Sequence, residues 1–147
     1  EHSMSDLDPT LAVDVDTANQ ISTTIFAPWL QQLGMVVESI DSTGAVLRLP
    51  YSEQLCRAGG MVCGQAMLAL IDTCMVYVAF AAQNQYANCT TVSQNSSFVR
   101  AAKGQDIIAT GSIVKRGRQL LFGEVVLTTA DDNKIVATGT ATYMLLP

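Results

Sequence analysis

The sequence predicts an α+β domain in which a curved antiparallel sheet wraps one long central helix. Two observations carry this expectation. Residues 63–82, CGQAMLALIDTCMVYVAFAA, are almost continuously apolar and too long a run for a strand. After them come four runs of strand composition, separated by turn signals at Ala102-Lys103-Gly104, Arg116-Gly117-Arg118 and Asp131-Asp132-Asn133.

The chain has 147 residues, enough for one domain with a real core. Apolar residues make up 49% and charged residues 14%, which excludes general disorder and implies an extensive buried interior. The net charge of −5 argues against general nucleic-acid binding. That charge is unevenly spread. Glu1, Asp6, Asp8, Asp14 and Asp16 crowd the N-terminus, whereas Arg100, Lys103, Lys115, Arg116 and Arg118 share one later stretch. Cys56, Cys63, Cys74 and Cys89 show no CxxC pairing, and no segment resembles a secretory signal. They read as reduced thiols of a cytoplasmic protein. No metal site is expected, because the single histidine, His2, lies in an opening EHSM that looks like a cloning remnant ahead of Met4. Nor is a membrane span expected, since Asp72 sits in the middle of the apolar run and no basic flank follows it.

Taken in order, residues 1–16 read as a flexible acidic N-terminus and residues 17–147 as a single domain. Ile21, Ile25, Trp29 and Leu33 recur at a helical interval, which Pro28 kinks or ends early. Residues 35–40 and 45–49 form a predicted hairpin around Asp41-Ser42-Thr43-Gly44. Residues 51–62 read as a loop. The four later strands are predicted at 89–99, 105–115, 119–129 and 134–145. In the third, both alternating sets of side chains are apolar, which suits a central strand covered on two sides.

Asp72 is the residue that most needs explaining. A carboxylate among apolar side chains costs on the order of 2–7 kcal/mol unless it is paired or used. Gly59, Gly60 and Gly64 lie just ahead, where the backbone can approach a neighbour or ligand. Met61, Met67, Met75, Tyr77 and Phe80 suit either a core or an apolar tunnel.

This pattern resembles the hotdog fold, and within it the PaaI-like acyl-CoA thioesterase family. CGQAMLALID is similar to the helix start HGG-x-x-x-A-L-x-D, with Gly64 on the first glycine and Asp72 on the acid. TTVSQNSSFVRAAKGQD is similar to the strand T-V-x-x-N-x-x-F-x-x-P-A-K-x-G-D. IVKRGRQLLFGEVVLTTADDNKIVATGTATYML resembles the paired terminal strands with their K-x-G-K/R turn. The chain departs from the family at Cys63, in place of the histidine, and at Gln65, in place of the second glycine. It departs again at Arg57, where many members carry an asparagine; LCRAGGMVCG there resembles a sub-branch reading R-P-G-G-T-x-S-G.

The resemblance implies hydrolysis of an acyl-CoA thioester, with Asp72 attacking the carbonyl or activating water. It implies that Gly64, in the first turn of the helix, presents a backbone N–H to the oxyanion. Thr91 then orients the nucleophile or water, and Gln65 and Arg57 supply polar contacts. Lys103, Lys115, Arg116 and Arg118 meet coenzyme A phosphates across a subunit boundary. Coenzyme A enters as part of the substrate, no other cofactor is implied, and the assembly is a homodimer or homotetramer with sites between subunits. Cys63 reads as a small buried residue, because no histidine stands near it to activate a thiolate. Asn95 and Phe98 read as strand and core packing. For Asp72 and Arg57 the competing readings are a structural pairing inside an interface and a surface salt bridge. The alternative for the whole chain is a non-catalytic acyl-CoA-binding or structural module; a dehydratase is disfavoured because such enzymes use a histidine.

Overall fold

A computed structural model describes residues 12–147. His2, Glu1, Asp6 and Asp8 lie outside the described residues. Helix α1 (Val15–Ile25) opens at Asp14, whose carboxylate accepts a 2.8 Å hydrogen bond from Thr17 N. The domain therefore begins before residue 17, because two acidic residues assigned to the tail serve as cap and first-turn charge. Pro28 breaks the apolar periodicity as expected. It leaves Phe26 extended and occupies the first turn of a separate short helix, α2 (Pro28–Gln31).

Strands β1 (Val36–Asp41) and β2 (Gly44–Leu49) form the predicted hairpin. The segment read as a loop at 51–62 carries a 3-10 turn (Glu53–Leu55) and a tiny hairpin of β3 (Cys56–Arg57) and β4 (Met61–Val62). Gly59 and Gly60, at φ +95° and +77°, make its tip, a conformation side chains disfavour. Then come α3 (Gly64–Gln83), β5 (Cys89–Phe98), β6 (Ile107–Arg116), β7 (Leu120–Thr129) and β8 (Ile135–Leu145). The six long strands make one antiparallel sheet in the order β1-β2-β6-β7-β8-β5. Asn84, in the left-handed region, ends α3.

Helix α3 is apolar enough to cross a membrane by length and composition, but twelve of its twenty residues are buried against the sheet. Glycines in the sheet allow that contact. A Cβ on Gly111 would stand 2.7 Å from Cys74 Sγ and from Val78 Cγ2; one on Gly123 would stand 2.5 Å from Met75 Cε. The helix rests on bare backbone at these points, and Leu70, Met75, Tyr77 and Phe80 are fully enclosed. Burying such side chains stabilises the fold by roughly 1.5–3 kcal/mol each. All four cysteines are free.

The sequence reading of β7 is corrected here. Its Leu121, Val125 and Leu127 face the helix, but the described residues do not cover the other face, and Phe122 is 38% exposed. Strand β5 lies at the sheet edge and carries a bulge between Thr91 and Ser93. Phe98 is not a core residue: it is 48% exposed and lies over Gly64.

At the far end, Asp106 accepts hydrogen bonds from Tyr51 N at 2.7 Å and Arg48 Nη1 at 3.0 Å. These hold its carboxyl below the ordinary value of 3.8, the Tyr51 amide first and Arg48 second. A carboxylate with a depressed folded-state pKa stabilises the protein above its ordinary value, and the effect is lost as pH falls through the lower one. Asp106→Asn should lower stability near pH 6 by about 1 kcal/mol, allowing for solvent exposure. Thermal melts of parent and variant should draw together as pH falls well below the ordinary value of 3.8; a constant difference would exclude the linkage.

Candidate active site

Asp72 is half-buried on the side of α3 that faces the meeting of β5 and β8. Thr91 Oγ1 donates to Asp72 Oδ1 at 2.7 Å. Tyr143 Oη reaches the same Oδ1, and also Asp72 O at 2.7 Å. Thr91 and Tyr143 are paired residues on β5 and β8, so one row of the sheet supplies both hydroxyls. Burial, followed by the hydrogen bond to Asp72, pushes the Tyr143 hydroxyl well above its ordinary value and keeps it a proton donor. Oδ1 is thereby engaged twice, while no described residue donates to Oδ2.

The surrounding cleft, about 240 Å³, is lined by Phe26, Leu30, Asp72, Thr73, Val76, Cys89, Thr90, Thr91 and Tyr143. Cys89 is its only thiol. Burial, with the Asp72 charge second, raises that thiol to about 11, so it is overwhelmingly protonated near neutral pH and a poor nucleophile. Asp72 is the one charged residue among those lining this cleft.

The structure brings Thr91 to Asp72 but separates the other expected groups from them. Gly64 begins α3 and Asp72 lies eight residues on, about 12 Å along the axis. Gly64 lines a different cleft, with Arg57, Met61, Phe98 and Arg100. Gln65 is exposed on the same first turn. A Cβ on Gly64 would meet the Phe98 ring at 3.6 Å, an ordinary contact, so tight packing does not explain that glycine. Arg57 makes no salt bridge among the described residues; its nearest polar neighbour is Met61 Sδ at 3.6 Å.

The basic residues divide as well. Lys103 follows Ala102, whose carbonyl accepts from Val62 N at 2.9 Å, so it stands at the Gly64 end. Lys115, Arg116 and Arg118 lie at the opposite end of β6, roughly 30 Å away along the strand. Arg116 Nη2 donates to Gln83 Oε1 at 2.6 Å, tying that turn to the C-terminal end of α3. In the sheet register the Asp72 row runs Thr91, Tyr143, Leu121, Arg116, so this basic turn shares the acid's end of the sheet.

Sequence reasoning missed Tyr143. A tyrosine in a terminal strand is ordinary β composition; only its place on the inward face, between Ala141 and Leu145, hinted at a role.

Comparison with known proteins agrees with this fold. The thioesterase superfamily pattern matches residues 59–136, more than half of the chain. The chain belongs to the thioesterase superfamily, whose activity is thioester hydrolysis. It is 26% identical over 118 residues to a Mycobacterium tuberculosis protein provisionally named an esterase, covering 78% of this chain and 84% of that one. Zebrafish thioesterase superfamily member 2 superposes with a TM-score of 0.79 at 26% identity, over 91% of this chain and 99% of that chain. The Escherichia coli PaaI protein, from the phenylacetic acid degradation operon, shares the fold with a TM-score of 0.75 at 18% identity, over 90% and 96% of the two chains. The hotdog architecture is thus the observed one.

If Tyr143 positions the carboxylate, Tyr143→Phe should lower kcat about tenfold, the scale of one hydrogen bond to a charged group, with little change in KM. In an Asp72→Asn background the same change should add almost nothing. Equal losses in both backgrounds, read from steady-state kinetics, would make Tyr143 merely structural.

Proposed function

We propose that this chain hydrolyses acyl-CoA thioesters as a cytoplasmic homodimer or homotetramer, with Asp72 as nucleophile or general base. The observation that carries this reading is the Asp72 carboxylate itself. Two hydroxyls hold one of its oxygens, the other has no donor among the described residues, and the rest of the cleft offers only uncharged groups: apolar side chains, hydroxyls and a protonated thiol. An oxygen left open to the cleft is what attack on a carbonyl or activation of a water requires, and a simple binding module has no need of it.

A second copy completes the site. Strand β5 is a ten-residue edge with unpaired backbone groups, which invite pairing with another edge. Its start carries Thr91, next to Asp72; its end carries Phe98, over Gly64. When two such edges pair antiparallel about a two-fold axis, the start of one lies beside the end of the other. That sets the Asp72 cleft of one copy against the first turn of α3 of the other, closing the 12 Å gap that a single chain leaves. The helix N–H groups there lack intrahelical partners and stabilise the developing oxyanion. Gln65 and Arg57 lie on the same rim. Lys103 of one copy and the Lys115–Arg118 turn of the other then flank the same opening, where coenzyme A phosphates bind.

Asp72→Asn keeps the volume and removes the charge, and turnover should fall at least ~10²-fold with the oligomer intact. Unchanged turnover would favour the acyl-CoA-binding module instead. Nucleotide contacts are remote from the reacting carbonyl and act on binding. Lys115→Glu with Arg118→Glu should therefore raise KM for acyl-CoA severalfold, less so at high salt, and affect a truncated thioester lacking the nucleotide far less. An equal loss on both substrates would remove the phosphate-contact role.

A further inference from the structure

A second cavity, about 260 Å³, adjoins the Asp72 cleft between α1, α2, the start of β1 and α3, and it opens to solvent past the exposed Thr23, Gln31 and Gly34. The two share walls: Phe26, Leu30 and Thr73 line both. None of the residues lining the inner cavity carries a charge. Thr73 is only 5% exposed, and its hydroxyl has no hydrogen-bond partner among the described residues. It is nonetheless not sealed in the core, since among the described residues no enclosed side-chain polar atom lacks a partner. Its oxygen therefore opens onto cavity space, one residue beyond the reacting acid. Tyr77, at the other side, donates to Ala18 O at 3.3 Å, and burial raises its hydroxyl to about 12, so it too remains neutral.

Resting on the acyl-CoA reading above, we infer that this cavity is the acyl-group pocket and that it takes uncharged acyl groups. The carbonyl stays in the outer cleft beside Asp72, and the chain passes between Phe26 and Thr73 into the space bounded by Ser22, Met35 and Tyr77. A cavity of ~150 Å³ accommodates benzene, so this one takes a substituted ring or a chain of about eight carbons. The free Thr73 hydroxyl accommodates one hydrogen-bonding substituent near the shared wall. A terminal carboxylate finds no counter-charge among the lining residues and loses part of its hydration there. The N-terminal helices, which lie outside the matched family region at 59–136, thus set substrate choice.

Ser22→Leu fills the cavity and Met35→Ala enlarges it. On octanoyl-CoA relative to butanoyl-CoA, Ser22→Leu should lower the ratio of kcat/KM about tenfold or more, and Met35→Ala should shift the optimum to longer chains. Parent enzyme should prefer octanoyl-CoA to its ω-carboxylated analogue by ~10²-fold or more. Octanamide, a neutral stand-in for the acyl group, should bind parent and Asp72→Asn but not Ser22→Leu in ligand-observed NMR. A parent that cleaves no acyl-CoA yet binds octanamide in this Ser22-dependent way would keep the pocket and overturn the hydrolase reading. Failure of octanamide to bind the parent, equal binding by Ser22→Leu, or a chain-length ratio unmoved by both variants would overturn the pocket.

Discussion

Everything in this protein depends on how closely α3 lies against the sheet. Gly111 and Gly123 leave bare backbone under Cys74, Val78 and Met75, so the helix sinks into the concave face. With the sheet curled around it, α3 has one face turned toward the β5–β8 side. Asp72 emerges there, at a depth where neighbours can be chosen. A shallower helix would leave the acid solvated, and a deeper one would enclose it without partners at a cost of several kcal/mol.

The chemistry follows from that placement. Tyr143 and Thr91 face each other across two strands and converge on the same carboxylate oxygen, so the two oxygens of Asp72 become inequivalent. Burial first, and this negative charge second, keep Cys89 protonated. The one charged residue lining the cleft thus adds to the effect of burial on its thiol.

Much of this was legible in the sequence because it rests on local patterns. The apolar run at 63–82 lies within one residue of α3 at each end, and the turn signals bracket the observed strands. Asp72 stood out because a lone acid in such a helix demands a reason. What escaped was non-local. Tyr143 meets Asp72 across 71 positions of chain, and nothing near it in sequence announces that contact. The basic residues look clustered along the chain, but the length of β6 separates Lys103, ahead of it, from Lys115 near its far end. Apolar alternation in β7 correctly placed it centrally, but a pattern cannot say what covers its second face.

The bulge in β5 has a wider meaning. Before it, the odd-numbered Thr91 points inward to Asp72. After it, the even-numbered side chains do so: Gln94 donates to Leu68 O at 3.3 Å, and Phe98 lies over Gly64. A regular strand keeps one parity throughout. It would aim either its first half or its second half at the helix, never both. The single extra residue works as a phase shifter. It lets one edge strand serve the acid at one end and the helix N-terminus at the other.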